Sequence, residues 1–449
     1  MTTEPLPGNA AAWRRTFSAT RDMLYWSTAT RAFVELAAAK SAIALASELK
    51  NFVYWLELLA THKVKVDPAL LTAFITSFTR LAANLGQPRN EHSVVQALDR
   101  AIVMMRENNA SPVEQYLAKA SYYGSMANES PDRAGAIEQA VREAPYGSDE
   151  WARAMGALAW YYIDVSRYKD SLGVLEELRS GFAGGLPPRL DCEASALTGI
   201  ALFTSLQDLD CAEASLEHAS TYIEHVEGDP ELAEWVQAAR QYLGRIAELN
   251  GRQSAALACY LDTLRIQRFC HEDITATGFA HLRIADLLTS NGLLTEAKDH
   301  LDEADARFRQ ASNRGSAHMQ LRLGRAIWQA AAGNEAEAER IVLTAREEAA
   351  AIKFRRGELL CLGYLLTLYF RRRRFERLPW LTARILRAAF TGELRRNITL
   401  TFGRSLPIIR NALRRMSSAP NVAADADCIV SCPCDLHSTK PGASAEATA

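Results

Sequence analysis

A motif of about forty residues recurs along the middle of the chain. In one clear copy, His281–Ala304, the small residue Ala285 is followed twelve positions later by Ala297, with Gly292 between them. The second small residue of successive copies falls 41, 44, 41 and 41 positions apart, at Ser171, Ala212, Ala256, Ala297 and Ala338. A chain with such a period is expected to fold as an array of similar units.

Each copy has the features of a helical hairpin. Small side chains at its two marks allow two antiparallel helices to approach closely, and apolar residues at helical spacing supply a shared seam. A glycine between the two helices lets the chain reverse direction. Because one hairpin cannot bury its seam alone, neighbouring copies must stack on one another.

Helix signals extend beyond these copies. Asp67–Gly86 carries apolar residues at helical spacing and ends on glycine, and Ser111–Glu114 has the pattern of a capping box with proline at the first helical position. Asp229–Glu231 starts a helix in the same way, and that helix is expected to run to about Gly251. No stretch alternates apolar and polar residues as a half-buried strand does. The sequence therefore predicts an all-α protein.

The pattern resembles that of the tetratricopeptide repeat family, in which Gly-x-x-x-x-Ala spans the turn, as in Gly251–Ala256, Gly292–Ala297 and Gly333–Ala338. The spacing of 41 positions exceeds the ~34 residues of the common unit. It is similar to that of the sensor superhelices of maltose-type transcription activators and of Rap- and PlcR-type peptide-sensing regulators. The resemblance is clear for Trp151–Ala350. It implies an all-α, right-handed α-solenoid of tetratricopeptide-like antiparallel hairpins.

In such a solenoid the first helix of each hairpin lines a concave groove. By this resemblance the groove residues are Trp160, Asp164, Thr204, Gln241, Arg245, Glu248, Leu282, Asp286 and Thr289. Mixed polar and apolar side chains of this kind suit an extended or helical peptide. The alternative for each of these residues is that it only occupies an exposed position on a helix and binds no ligand.

The implied function is binding without catalysis. The resemblance implies an intracellular scaffold or adaptor whose groove takes a peptide or protein partner. The alternative is a peptide-responsive regulator, a signal sensor that controls transcription or another protein and lacks its own DNA-binding domain.

Catalytic motifs are scarce in the sequence. It has no Gly-x-x-x-x-Gly-Lys-Ser/Thr loop, so the nucleotide-binding module of the maltose-type activators is absent. His271 and His281 are ten positions apart and miss the spacing that two metal ligands on one helical face need. The glycine-rich Gly181–Arg189 contains two prolines and is typical of a loop. We expect neither an enzyme nor a bound cofactor.

Positive charge is concentrated towards the C-terminal end. Lys353–Arg415 holds sixteen basic and three acidic residues, although the whole chain has a net charge of −2. A row of four arginines falls where the repeat register places a turn, at Arg371, Arg372, Arg373 and Arg374. A solvated turn is one interpretation, since the helix dipole favours cations at a helix C-terminus. An acidic protein surface, of this chain or of a partner, is another. We expect no nucleic-acid partner, because the region has neither a glycine-rich phosphate loop nor a reading helix.

Repeat quality and composition divide the chain into four predicted regions. They are an N-terminal helical region of degenerate repeats or a cap at 1–110, the solenoid at 111–350, basic C-terminal helical hairpins or a cap at 351–416, and a disordered tail at 417–449.

The tail contains a cluster of soft metal ligands. Four of them fall within ten positions, at Cys428, Cys432, Cys434 and His437. They would suit zinc, but their spacing matches no zinc knuckle, so reactive thiols or an inert tail are the alternatives, and we favour the inert tail. The other cysteines are predicted to be small buried residues in a reducing compartment: Cys192, Cys211, Cys259, Cys270 and Cys361.

The sequence also bears on location. No window approaches the ~18 uninterrupted apolar residues of a membrane span. The first residues have no basic stretch leading into an apolar one, as a secretory signal does. We therefore expect a cytoplasmic protein without a membrane span. The sequence leaves the oligomeric state open.

Overall fold

The structure is a computed structural model that describes most of the chain. The described residues are 23–39, 48–61, 66–85, 91–126, 130–165, 167–205, 208–270, 274–310, 315–351, 355–390 and 429.

Regular structure in these ranges is entirely helical, with no strand, as the sequence predicts. Short 3-10 turns occupy Thr221–His225, Gln267–Phe269 and Phe375–Arg377. The α-helices in chain order are α1 Met23–Ala39, α2 Leu49–Thr61, α3 Pro68–Leu85, α4 Glu91–Glu107, α5 Val113–Met126, α6 Pro131–Glu143, α7 Asp149–Asp164, α8 Tyr168–Ser180, α9 Pro188–Ser205, α10 Leu209–Ser220, α11 Pro230–Leu249, α12 Gln253–Ile266, α13 Ile274–Ser290, α14 Leu294–Gln310, α15 Gly315–Ala331, α16 Glu335–Ala351, α17 Arg355–Arg371 and α18 Leu378–Phe390.

The chain divides into two compact units. The first comprises Met1–Val165 with Ser180–Phe182, and the second comprises Ser166–Arg179 with Ala183–Ala449. The four regions predicted from the sequence reflect repeat quality, whereas these units reflect packing, so the regions stay a prediction.

Aromatic side chains form the centre of the first unit. Phe52 of α2 and Phe74 of α3 stack with their ring centroids 5.7 Å apart, and Trp55 packs against Trp26 of α1 at 4.9 Å. The indole Nε1 of Trp55 donates a hydrogen bond to Thr30 Oγ1 at 3.1 Å. Its polar atom is therefore satisfied inside the core, as a buried tryptophan requires.

The start of α11 is capped by Asp229, the residue that the sequence predicts, and α3 starts in the same way at Asp67. Asp229 Oδ1 accepts a first-turn N–H of α11 at 3.0 Å, and Asp67 Oδ1 does the same for α3 at 2.8 Å. Ser111, before α5, differs because its hydroxyl donates to Glu150 Oε2 at 2.7 Å. This serine links α5 to α7 in addition to lying near the helix start.

The second unit is built from antiparallel hairpins, in which α9 pairs with α10, α11 with α12, α13 with α14, and α15 with α16. The small residues predicted for the seams all have 0% exposure: Ser171, Ala212, Ala256, Ala297 and Ala338. Packing is so close that a Cβ on Gly244 of α11 would lie 2.6 Å from Cε1 of Tyr260 on α12. The predicted repeat register is therefore confirmed.

The turns inside these hairpins share one conformation. Glycine occupies the left-handed position in three of them, with φ of 76° at Gly251, 80° at Gly292 and 86° at Gly333. The N–H after each glycine donates to the carbonyl five residues earlier, at 2.8 to 3.0 Å, and so caps the first helix. Before α18 the same position is held by Arg373, with φ of 54°.

One residue of the C-terminal tail packs in the second unit. Ile429 is 6% exposed and belongs to an apolar cluster with Tyr260, Ile284 and Leu288. Ile429 is the one residue of the predicted tail that the structure describes, so the disorder of the tail stays a prediction. The composition of the tail is polar, but a single aliphatic side chain suffices for a packed contact.

Candidate functional site

The nine groove residues predicted from the sequence divide between the two units. Trp160 and Asp164 lie on α7 in the first unit, and the other seven lie in the second. Asp164 Oδ2 accepts from Arg133 Nη1 at 2.9 Å, and the Arg133 guanidinium lies 5.5 Å from the centroid of the Tyr161 ring. Since Arg133 is buried, Asp164 has the structural task of neutralising it.

A cation that lies close to two aromatic rings is found in the second unit. The Arg245 guanidinium lies 4.7 Å from the ring centroid of Phe203 and 5.2 Å from that of Tyr242. The two rings meet edge to face with their centroids 5.5 Å apart. Phe203 comes from α9, so Arg245 joins two successive first helices through an interaction of about 0.5–1 kcal/mol per ring.

Sequence reasoning missed both rings, although each is the direct neighbour of a predicted residue. Phe203 precedes Thr204, and Tyr242 follows Gln241. Thr204 donates its hydroxyl to the Ile200 carbonyl of its own helix at 2.5 Å, so it is the ring beside it that reaches Arg245.

Further charges follow on α11 and α13. Arg283 Nη1 lies 3.4 Å from Asp286 Oδ2, and both side chains are about a quarter exposed. Burial lowers the pKa of Arg283, but the carboxylates of Glu248 and Asp286 outweigh it and raise that pKa above its ordinary value. Arg283 therefore stays charged in this partly buried position.

Tyr260 of α12 is fully buried and interacts electrostatically with these charges. Burial raises its pKa well above the ordinary value, the Glu248 carboxylate adds to the rise, and the Arg283 and Arg245 cations oppose it. The phenol therefore stays neutral. These mutual effects place Arg245, Glu248 and Arg283 within electrostatic reach of one another.

We call this set of six side chains the Arg245 site. It combines two cations, two carboxylates and two aromatic rings, from Phe203, Tyr242, Arg245, Glu248, Arg283 and Asp286.

Two predicted groove residues need correction. Leu282 and Thr289 are buried, at 2% and 7% exposure, and so cannot line an open groove. For Leu282 the reason is the close approach of α15 to α13, because a Cβ on Gly324 of α15 would lie 2.5 Å from Cδ1 of Leu282. Repeat spacing identifies the first helix of each hairpin. It does not show how closely the first helix of the following hairpin packs on it, and this packing decides which side chains are buried.

An open cavity of about 430 Å³ lies elsewhere in the second unit, among residues of α10, α11, α12 and the 3-10 turn that follows α10. Its charged lining includes Glu213, Glu217 and Glu224, opposed by Arg240 and Arg252. Arg252 Nη2 binds Glu213 Oε1 at 2.5 Å, so part of this charge is already paired. None of the predicted groove residues lines this cavity.

The arginine row is partly engaged with the chain's own acidic residues. Arg372 Nη1 lies 2.8 Å from Glu339 Oε2, and its Nε lies 3.1 Å from Glu335 Oε2. Arg374 Nη1 reaches the same Glu339 oxygen at 3.1 Å. Arg373 is exposed at the turn, and the side chain of Arg371 lies outside the described residues.

The cysteines differ in their exposure. Cys192 and Cys361 are buried as predicted, and burial raises the pKa of each thiol to about 12. Cys211 is exposed, which corrects the prediction there.

In the part of the chain that the structure describes, no cluster of three or more His, Cys, Asp or Glu residues could hold a metal ion. The tail candidates lie outside that part: Cys428, Cys432, Cys434 and His437.

Among the described residues, no helix has both the length and the apolar character to cross a bilayer.

The fold has a counterpart among solved structures. The crystal structure of Rap protein complexed with competence and sporulation factor matches with a TM-score of 0.50 and 17% sequence identity, over 68% of this chain and 85% of that chain. This likeness supports an α-solenoid of tetratricopeptide-like hairpins, the fold that the sequence predicts. No family model matches the sequence, and no curated protein matches it either.

Proposed function

We propose that the chain is a non-catalytic helical-repeat protein that binds a peptide or protein segment at the Arg245 site and acts as an interaction scaffold. The observation that carries this proposal is the contact of the Arg245 cation on α11 with the rings of Phe203 on α9 and Tyr242, near the Arg283–Asp286 ion pair on α13. Rigid helices position such a set better than loops do.

The chemistry of the Arg245 site suits a polypeptide. A peptide backbone offers carbonyl acceptors and N–H donors in alternation, and arginines can bind the former while carboxylates bind the latter. The rings of Phe203 and Tyr242 give an apolar side chain a surface to pack on. Because the two cations balance the two carboxylates, a ligand with groups of both signs is favoured over a purely acidic or purely basic one.

A peptide-responsive regulator is the second candidate. It is favoured by the Rap protein, which shares the fold and forms a complex with competence and sporulation factor. In this form, ligand binding would change how the chain binds another protein. In the scaffold form, the chain would hold its partners without such a change.

The test is peptide selection with the whole chain. Immobilised protein is offered a random peptide library, and the enriched sequences are then measured individually against variants. Arg245→Ala should weaken their binding by about tenfold or more, as expected for an arginine at the centre of an interface. The matched control is Arg265→Ala on α12, whose side chain is 73% exposed and pairs only locally with Asp262.

The outcomes separate the alternatives. Enriched peptides that bind the Arg245→Ala variant as tightly as the wild type would place the ligand elsewhere. If peptides bind and hydrogen exchange changes in helices remote from Arg245, the regulator form is supported. If exchange changes only around Arg245, the scaffold form is supported.

A further inference from the structure

Ile429 makes a long-range contact that the repeat pattern does not supply. It is distant in sequence from every helix of the second unit, yet it is 6% exposed. The apolar cluster around it draws residues from α11, α12, α13 and α14, among them Leu257, Leu261, Ile284 and Leu287. Ile429 is therefore part of an apolar cluster that two successive hairpins, α11 with α12 and α13 with α14, build together.

Apart from Ile429, the buried residues of this apolar cluster come from the helices of the two hairpins. Ala256 and Ala297, which lie at their two seams, are members of the same cluster. Among the described residues, Ile429 is the one buried member of the cluster that lies outside the helices. The hairpins thus present an apolar site at their junction, and a side chain from the tail occupies it.

We propose that this junction is a peptide-docking surface whose resident occupant is the chain's own C-terminal tail, anchored by Ile429. The proposal does not depend on the Arg245 site, since it concerns a different ligand and a different set of contacts. Its consequence is that the tail competes with any external segment that offers an aliphatic anchor to the same surface.

The sequence permits this contact. The 38 residues between Phe390, the end of α18, and Ile429 can span about 120 Å when extended. Neighbouring packed helices lie only about 10 Å apart, so the chain can return from α18 to α14 with length to spare. Ile429 and Val430 form an aliphatic pair within a stretch of small, polar and acidic residues, which is the pattern of a short anchor in an otherwise polar peptide.

A single anchor makes the docking reversible. Burying one aliphatic side chain shifts an equilibrium by roughly tenfold or more, and a tether within the same chain keeps the anchor at an effective concentration of about millimolar. The tether therefore raises the docked population above that of a free peptide with the same anchor, and a single anchor leaves the docking reversible. An external segment can displace the tail when the ratio of its concentration to its dissociation constant exceeds the same ratio for the tethered tail.

The experiment uses the whole chain with Ile429→Asp, which places a charge in the apolar junction, and Ile429→Val, which keeps an aliphatic anchor. Hydrogen–deuterium exchange is followed in Gln253–Ile266 and Ile274–Ser290, with Leu49–Thr61 of the first unit as an internal reference. In parallel, a dye-labelled synthetic peptide of residues 424–435 is titrated, in reducing buffer, into each protein.

We expect Ile429→Asp to raise exchange in the two helices of the second unit and to leave the reference helix unchanged. The labelled peptide should bind this variant at least tenfold more tightly than it binds the wild type, whose site is occupied in cis. Ile429→Val should behave as the wild type in both measurements. Unchanged exchange in the Asp variant, or equal peptide binding by all three proteins, would overturn the proposal. So would a rise in exchange throughout the chain, because it would make Ile429 a part of the folding core.

Discussion

His281 Nδ1 and His300 Nδ1 lie 2.9 Å apart inside the hairpin of α13 and α14. Both residues are buried. A hydrogen bond between two imidazole nitrogens requires one of them to carry a proton and the other to accept it, so at least one ring is neutral. Burial, together with the Arg307 cation, lowers the pKa of His281 to about 4.

Acid should therefore destabilise this hairpin. An unfolded histidine has a pKa of about 6.5, so between that value and 4 the unfolded chain binds a proton that folded His281 does not bind. Stability contributed by the neutral ring is present above about pH 6.5 and is lost as the pH falls towards 4. The loss is on the order of 3 kcal/mol for this group, and urea unfolding across that interval measures it.

The control for this prediction is His281→Phe, which keeps a ring of similar size but cannot titrate. Carboxylates elsewhere also titrate at low pH, so the quantity to compare is the difference in unfolding free energy between wild type and variant. That difference should change across the interval. A constant difference would show that His281 does not cause the acid sensitivity.

Ala297→Trp should strongly destabilise the second unit. Ala297 is fully buried where α13 and α14 pack together, and overpacking such a site costs on the order of 1–3 kcal/mol or more. Ala306 on the same helix is exposed, so Ala306→Trp is a matched control with little expected effect. Thermal melting followed by circular dichroism compares the two, and equal melting temperatures would refute the close seam at Ala297.

Arg373→Gly should stabilise the last hairpin. Arg373 has φ of 54°, in the turn position that glycine holds at Gly251, Gly292 and Gly333. A side chain in the left-handed region costs roughly 1–2 kcal/mol of folding free energy. Part of this gain is lost in the glycine variant, because glycine gives the unfolded chain more conformational entropy. We expect a net gain of about 0.5–1 kcal/mol in urea unfolding.

The reverse substitution, Gly333→Ala, tests the same conformation from the other side. Gly333 has φ of 86°, and the space that an alanine methyl group would occupy there is open, so steric clash with neighbours does not enter. The variant should lose a similar amount of stability. A stabilising Gly333→Ala would contradict the turn geometry in both places.

The sequence predicts the seams and the turns well because both depend on local chemistry at a fixed period. A small residue is needed at Ala297 because two helices touch there, and glycine is favoured at Gly292 because φ is positive. The burial of Leu282 is different, since it depends on how closely α15 approaches. The contacts of Ile429 and of His300 are also beyond a periodic pattern, because they depend on the three-dimensional placement of distant segments.

For the candidate site, the sequence names some of the side chains, and their role stays a prediction. Arg245 and Glu248 lie on one face of α11, and Asp286 lies on α13. Phe203 and Tyr242 are missed because each ring lies one position away from the residue that the repeat register marks. An aromatic residue adjacent to a predicted groove position is the signal that identifies them.

The arginine row makes the last prediction. Glu339 is only 13% exposed and is held by Arg372 and Arg374, and its other oxygen accepts a hydrogen bond from the Tyr369 hydroxyl at 3.0 Å. Replacing Arg372 and Arg374 together by glutamine leaves this carboxylate without its cations. We expect a loss on the order of 1–3 kcal/mol in unfolding free energy, measured by urea titration.

Arg373→Gln is the matched control, because Arg373 lies in the same turn but is exposed. A surface substitution of this kind should change stability by less than about 0.5 kcal/mol. If the double variant and the control are equally stable, the ion pairs contribute nothing and the row is a solvated turn.

Nucleic acid binding by the arginine row is tested separately. Because two of the arginines are bound to Glu339, we expect no duplex or single strand to be retained in a gel shift. Retention with a steep dependence on salt would instead show phosphate contacts.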